Sequence, residues 1–275
     1  MNSLYELTTK YIPITANPYR QSKAYTEISP CAELAPYIRC FWGTTEPIIR
    51  NDEHCDLVIP DTCMDVIFTI DYKSNRLESG FCTIDETGHY TNAVTDTALY
   101  STFAIRFYAW SAVLFADNYF SDSKNQFFDT DEFFTGLNRE MLPMLMSVTC
   151  LKERAVYASR YLMKRLNIKN INNDMMNAVY DIIAAKGTIS TAELAKRNVI
   201  SKRQLERIFQ QNMGITPKSF SSLVRYQMMW QEMCFEDGNT LDMIEKYGYY
   251  DQAHLLNDFK KRHTMTPTQA IKLLR

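Results

Sequence analysis

The first thirty residues hold no apolar run long enough for a signal peptide or a membrane helix, because Pro13, Pro18 and Pro30 break them up. No membrane partner is expected, and the protein is expected in the cytoplasm. Cysteine pairs are missing too: the seven cysteines are odd in number and dispersed, with no Cys-x-x-Cys, so neither a disulfide framework nor a zinc ribbon is indicated. Reduced, mostly buried thiols are the plain expectation. Histidine is scarce, and the first half has only His54 and His89 with no His-x-His pair, which argues against a metal-dependent β-barrel enzyme. His54 with Cys55 and Cys63 forms the one conceivable sensor cluster, against the plainer reading of a surface histidine beside buried thiols. No Gly-x-Ser-x-Gly elbow and no glycine-rich phosphate loop occurs. An enzyme is therefore not expected, and no catalytic residue, metal or cofactor is assigned.

What is present suits two domains. A chain of 275 residues with 46% hydrophobic residues can bury real cores. The formal charge of −2 hides an uneven distribution: residues 186–275 carry 14 Lys and Arg against 9 Asp and Glu, leaving 16 against 23 in front. An acidic front and a basic back direct any polyanion to the C-terminal part. Short β-branched and aromatic runs at 37–42, 57–59, 66–70, 81–84 and 101–107 read as strands, separated by turn residues at 60–62, 73–75 and 86–88. Five or more such strands favour a small β-barrel or sandwich. Phe41, Trp42, Phe103, Phe107 and Trp110 suit either its core or the lining of an apolar effector pocket. From about Ser111 the period turns helical. Leu151, Ala155, Ala158, Leu162 and Leu166 form a stripe that fits intramolecular packing or a seam with a second copy. Asn167 to Asp174 has linker composition.

The last ninety residues repeat one pattern twice. A short helix beginning at Thr191 buries Leu194 and Ala195, Asn198 stands where a left-handed residue is needed, and Ser201 caps a second helix. There Leu205, Ile208 and Phe209 share one face, leaving Lys202, Arg203, Glu206 and Arg207 on a basic, polar one. Arginine on such a face can contact guanine through two hydrogen bonds. Gly214 stops the helix and Pro217 starts the next. Downstream, Met243 and Ile244, a break at Gly248, a cap at Asp251, and Leu255 with Phe259 repeat the scheme, leaving Gln252, His254, Leu256 and Asn257 outward. Lys260, Lys261 and Arg262 follow as a basic cluster suited to phosphate. Pro217 to Phe235 lacks internal Gly or Pro and predicts a helix of about 28 Å at 1.5 Å per residue. That approaches the ~34 Å repeat of DNA, so one chain could set two recognition helices in successive major grooves.

In the order Ser201-x3-Leu205-x-Arg207-x-Phe209, Gly214-x-Thr216-Pro217, Arg225, Gly248-Tyr249-x-Asp251, Phe259-Lys260 and Thr266-Pro267, the segment 174–267 resembles the DNA-binding region of AraC/XylS transcription regulators. The resemblance implies base contacts from Arg203, Glu206 and Arg207 in the first unit and from Gln252, Ala253, His254, Leu256 and Asn257 in the second. It departs from the family where Thr264 replaces a usual glycine, where Ala270-Ile271 replaces an aromatic-Arg pair, and where Met229 replaces a small residue. Phosphate contacts are expected from Lys196, Ser201, Lys202, Lys260, Lys261 and Arg262.

The fold expected is α+β and multidomain. Residues 1–150 form a β-rich regulatory domain with following helices, 151–173 a helical connector, and 174–275 an all-α DNA-binding domain with two helix-turn-helix units. The function expected is a sequence-specific transcription regulator, an activator rather than a repressor. Promoter DNA is its partner, RNA polymerase follows by family resemblance, a small molecule or protein acts as effector, and a homodimer stays open. The rival is a helical protein-interaction module whose basic face is ordinary solvated surface.

Overall fold

A computed structural model describes residues 2–49, 56–91, 99–236 and 240–274. The chain opens with α1 (Asn2–Lys10), a helix that the proline spacing of the N-terminus does not announce. The strands β1 (Thr26–Ile28), β2 (Ile38–Gly43), β3 (Ile48–Ile49), β4 (Leu57–Val58), β5 (Cys63–Asp71), β6 (Arg76–Cys82), β7 (His89–Tyr90) and β8 (Leu99–Tyr108) follow. After α2 (Ala109–Ala112) and β9 (Phe127–Phe128), α3 (Leu137–Ser147) and α4 (Leu151–Arg165) complete the front part. The long sheet runs β1-β2-β8-β5-β6-β9, with β3 also on β8. β4 and β7 form a separate two-stranded ribbon, so the β part is sandwich-like rather than a closed barrel.

Alternation along the central strands decides which face is core. Met64, Val66, Phe68 and Ile70 of β5 are buried, as are Phe103, Ile105 and Phe107 of β8. Phe103 stacks with Phe41 at 5.9 Å and with Phe68 at 6.3 Å, while Phe107 stacks on Phe134 at 5.7 Å. Such pairs add ~0.5–1.5 kcal/mol each beyond the area they bury. The β5–β6 hairpin turns where the Asp71 carboxylate accepts from the Lys73 and Ser74 amides and Asn75 takes φ 53°.

One expectation about the middle of the chain needs correction, and one open alternative is decided. Residues 113–126 stay irregular rather than helical, because Phe115 and Phe120 bury themselves individually against the sheet; regular helix resumes only at α3. The α4 stripe of Leu151, Ala155, Ala158 and Leu162 is covered within the chain, with Leu166 half-buried. Between those residues the buried Arg154 donates to the Leu145 and Val148 carbonyls and to Ser101 Oγ and Tyr72 Oη, clipping α3 and α4 to the sheet.

Among the described residues the C-terminal part has seven α-helices: α5 (Asn173–Ala184), α6 (Thr191–Arg197), α7 (Lys202–Met213), α8 (Pro217–Phe235), α9 (Thr240–Lys246), α10 (Gln252–His263) and α11 (Pro267–Leu274). The segment after α1 runs along α8. The Ile14 amide donates to Gln227 Oε1 at 2.8 Å, Trp230 Nε1 to the Thr15 carbonyl at 3.1 Å, and the Tyr19 hydroxyl to the Cys234 carbonyl at 2.8 Å. One apolar cluster joins the sheet interior to α5, α6, α7 and the first part of α8. A second one gathers α10, α11 and the latter part of α8 with Ile59.

Candidate nucleic-acid interface

The first helix-turn-helix unit is built by caps that the sequence encodes locally. Ser190 Oγ accepts the Glu193 amide and Ser201 Oγ the Gln204 amide, each at 3.1 Å, which fixes the starts of α6 and α7. Gly214 at φ 69° ends α7, and Thr216 with Pro217 starts α8. The turn between α6 and α7 departs from expectation in one residue. The left-handed position is Val199 at φ 55°, not Asn198. Asn198 keeps an ordinary φ of −86° because its amide ties α6 to α5, donating to Asp181 Oδ2 and to the Leu194 carbonyl, both at 3.0 Å.

The α7 faces divide by chemistry. Leu205, Ile208, Phe209 and Met213 are buried, while Ser201, Lys202, Arg203, Glu206 and Arg207 are exposed, as is Lys196 at the end of α6. Among the described residues none of these charged side chains forms an ion pair, so the Arg203 and Arg207 guanidinium groups are free to meet a ligand. The Ser201 hydroxyl is already engaged as the cap.

In the second unit the Asp251 carboxylate accepts the His254 amide at 2.7 Å and starts α10. Leu255 and Phe259 are buried in the cluster around Trp230, and the Phe259 ring meets Tyr226 and Trp230 of α8 edge-on. His263, stacked on Phe259 at 4.7 Å and hydrogen-bonded through Nδ1 to the Tyr226 hydroxyl at 2.7 Å, is part of this core; burial pulls its pKa down to about 3. Gln252, Ala253, His254 and Asn257 are exposed, and Leu256 is half-buried. His254 Nδ1 accepts the Tyr250 amide at 3.3 Å, which leaves Nε2 as the proton-bearing nitrogen able to donate outward.

Lys260 and Lys261 are exposed, but Arg262 is turned inward, contrary to its expected phosphate role. Its guanidinium donates to Asp258 at 3.2 Å, to Ser222 Oγ at 2.7 Å and to the Glu86 carbonyl at 3.4 Å, and lies over the Tyr226 ring. Arg225 also faces Asp258, at 3.7 Å, and covers the Tyr249 ring, whose hydroxyl donates to the same carboxylate. This Asp258-centred clip fastens α10 to α8. Sequence reasoning missed it; the i, i+4 spacing of Asp258 and Arg262 was the available signal. Thr264 takes the left-handed conformation at φ 59° where a glycine is usual.

The five aromatics offered as an effector lining do not meet in one cavity among the described residues. Phe41, Phe103 and Phe107 fill the sheet core, and Trp110 is fully buried between Tyr108 and Phe220 at the contact with the helical part. Trp42 is on the opposite sheet face, donating to Asp65 Oδ1 at 2.7 Å; burial pushes the Asp65 carboxyl up to about 7. An open groove of about 750 Å³ follows the β6 edge instead, lined by Ile67, Leu77, Gly80, Phe127, Arg139 and Leu142 among others. Among the described residues no cluster of three or more His, Cys, Asp or Glu could hold a metal, and His54 with Cys55 lies outside them. Among those residues, too, no helix is long and apolar enough to cross a membrane.

Residues 194–272 match the family described as "Helix-turn-helix domain", and residues 26–129 match a domain of unknown function, DUF6597. No curated protein matches the chain. Among solved structures, an AraC-type transcriptional regulator from Chromobacterium violaceum shares 22% identity, covering 37% of this chain and 91% of its own, with a TM-score of 0.35. The C-terminal domain of the response regulator yesN from Fusobacterium nucleatum shares 19%, covering 36% and 99%, with a TM-score of 0.34. Unsaturated fatty acid-bound ToxT from Vibrio cholerae shares 9%, covering 84% and 94%, with a TM-score of 0.42.

Proposed function

We propose that this chain, which carries an AraC-type helix-turn-helix domain over residues 194–272, is a sequence-specific regulator of transcription that reads DNA with α7 and α10. The observation that carries the proposal is the pairing of two capped helices, each with a buried apolar face and an exposed polar one, on a single 19-residue helix. At 1.5 Å per residue that helix spans about 28 Å, close to one turn of DNA. Arg203, Glu206 and Arg207 would read base edges from α7, and Gln252, His254, Leu256 and Asn257 from α10. Lys196, Ser201, Lys202, Lys260 and Lys261 would contact phosphates, which orient the protein without selecting sequence.

In this reading residues 174–275 bind promoter DNA in the cytoplasm, 151–173 connect, and 1–150 answer to a small-molecule or protein effector. Such an effector has only the leverage of its differential affinity for two arrangements. Activation through RNA polymerase is the outcome proposed, with self-association as a dimer open to the exposed α4 face of Val156, Tyr157 and Met163. The domain type is that of a regulator rather than an enzyme.

Selection of bound fragments from random duplex DNA, with and without Arg207→Ala, tests the reading. Binding should weaken by at least tenfold between 50 and 200 mM salt, since each phosphate neutralised adds ~0.9 to the logarithmic slope. Arg207→Ala should lose about 1–3 kcal/mol of base discrimination at one position. A wild-type protein that binds selected and random DNA equally at moderate salt would leave the interaction module standing in place of the regulator.

A further inference from the structure

Two loops of the β part hold the far ends of both reading helices. The 84–88 loop and β7 beyond it reach α10: the Gly88 amide donates to the Lys261 carbonyl at 3.2 Å, and Thr264 Oγ1 to the Tyr90 hydroxyl at 3.2 Å. Arg262 Nη1 donates to the Glu86 carbonyl from the other side. Gly88 is needed there for space, because a Cβ would land on the Arg262 carbonyl. The 120–126 loop reaches α7 in the same manner. The Phe120 amide donates to the Gln211 carbonyl at 2.8 Å, and a Cβ on Gly214 would strike the Ser123 hydroxyl and the Phe120 carbonyl.

The two loops are also joined to each other. The Asn125 amide donates to the Ile84 carbonyl at 2.9 Å, the Glu86 amide to Asn125 Oδ1 at 2.7 Å, and Lys124 Nζ to Glu86 Oε2 at 3.0 Å. Burial works against the Glu86 carboxylate, but Ser219, Lys124 and Lys261 together hold its pKa below the usual range. A charged Glu86 therefore links its own loop, the neighbouring loop and the start of α8.

Both grips are on the C-terminal ends of the reading helices, and both reading faces stay exposed. The contact therefore leaves Arg203, Glu206, Arg207, Gln252, His254 and Asn257 uncovered. What it fixes is where one helix sits relative to the other, as a second constraint beside α8. Both grips lie near the start of α8, where α7 ends just before Pro217 and Arg262 reaches Ser222, so the joined loops form a second link between the C-terminal ends of α7 and α10 beside the one that α8 supplies.

We propose that the joined loops are a gauge for DNA half-site spacing, with Gly88 and Gly214 as positioning residues that let each reading helix seat against it. This rests on the DNA-reading function proposed above and extends it: the separation of the two half-sites becomes a property of the β part as well as of α8. One base pair advances the duplex by ~3.4 Å, so a displacement of that order at one reading helix changes the spacing accepted.

Full-length wild type, Gly88→Val and Glu86→Ala would each be used to select fragments from random duplex DNA, with the melting temperature of each measured alongside. Wild type should enrich two sub-motifs at one separation. Gly88→Val should enrich the same sub-motifs over several separations, losing at least tenfold of the preference for the wild-type spacing. Glu86→Ala adds no atoms and carries the test if Gly88→Val does not fold. A folded variant that keeps the single separation overturns the gauge and leaves DNA reading intact. A wild type that enriches no motif overturns the DNA reading and the gauge with it.

Discussion

At Val199 backbone and side chain disagree. It takes φ 55° with a β-branched side chain that is 90% exposed, so it is strained and gains little packing in return. The strain of such a residue is of order 1–3 kcal/mol, against roughly 0.5–1 kcal/mol of extra chain entropy that a glycine loses on folding. Val199→Gly should therefore stabilise the protein by about 1 kcal/mol, read as a rise of a few degrees in melting temperature. An unchanged or lower melting temperature would show that Val199 contributes something its exposure conceals. Nothing in the sequence marks Val199: Asn198 is the better left-handed residue by type, and only its long-range bond to Asp181 explains why it is not used. Arg262 is a second case. Its charge and place after Lys260 and Lys261 suggest phosphate, yet its partners Ser222 and Glu86 are 40 and 176 positions away.

Elements whose limits are set by neighbouring residues were legible, and those set by distant ones were not. α8 runs from Pro217 to Phe235 as its cap, its proline and its uninterrupted run require. The reading faces of α7 and α10 likewise follow from 3.6-residue periodicity. By contrast β1, β3 and β9 are two or three residues long and exist only because a neighbouring strand pairs with them, so no local pattern announces them. The stripe of α4 was visible, but its covering surface was not, since periodicity does not name a partner. If α7 and α10 read DNA as proposed, they differ in what they offer it. α7 presents two arginines that form no ion pair among the described residues, whereas α10 presents an amide pair and a histidine with one ring nitrogen already engaged. Arg203→Ala or Arg207→Ala should each cost about 1–3 kcal/mol of base discrimination. His254→Ala or Asn257→Ala should reduce total affinity more than they alter the selected sequence. Selected-motif information content for the four variants checks this, and greater loss at the α10 positions would reverse the ranking.

The whole molecule does not divide its interior where its composition changes. The apolar cluster under the sheet continues through Trp110 into Phe209 and Phe220, so the first reading unit shares a core with the β part, while the second is grouped around Trp230 and Phe259. The long-range grips on α7 and α10 and the segment bound along α8 tie the same parts together by hydrogen bonds. Trp110 is the residue through which this continuity can be probed, because it is fully buried and stacks on Tyr108 at 4.7 Å while its edge meets Phe220 at 6.3 Å. Trp110→Ala should cost about 3–5 kcal/mol through the cavity it leaves. If the core is one cooperative unit, amide exchange should quicken in both β8 and α7 and change less in α10, which belongs to the other cluster. Exchange that quickens in β8 alone, with α7 as protected as before, would mean that the β part and the first reading unit open independently, and a signal at the sheet would then have to reach α7 through the loop contacts rather than through the shared core.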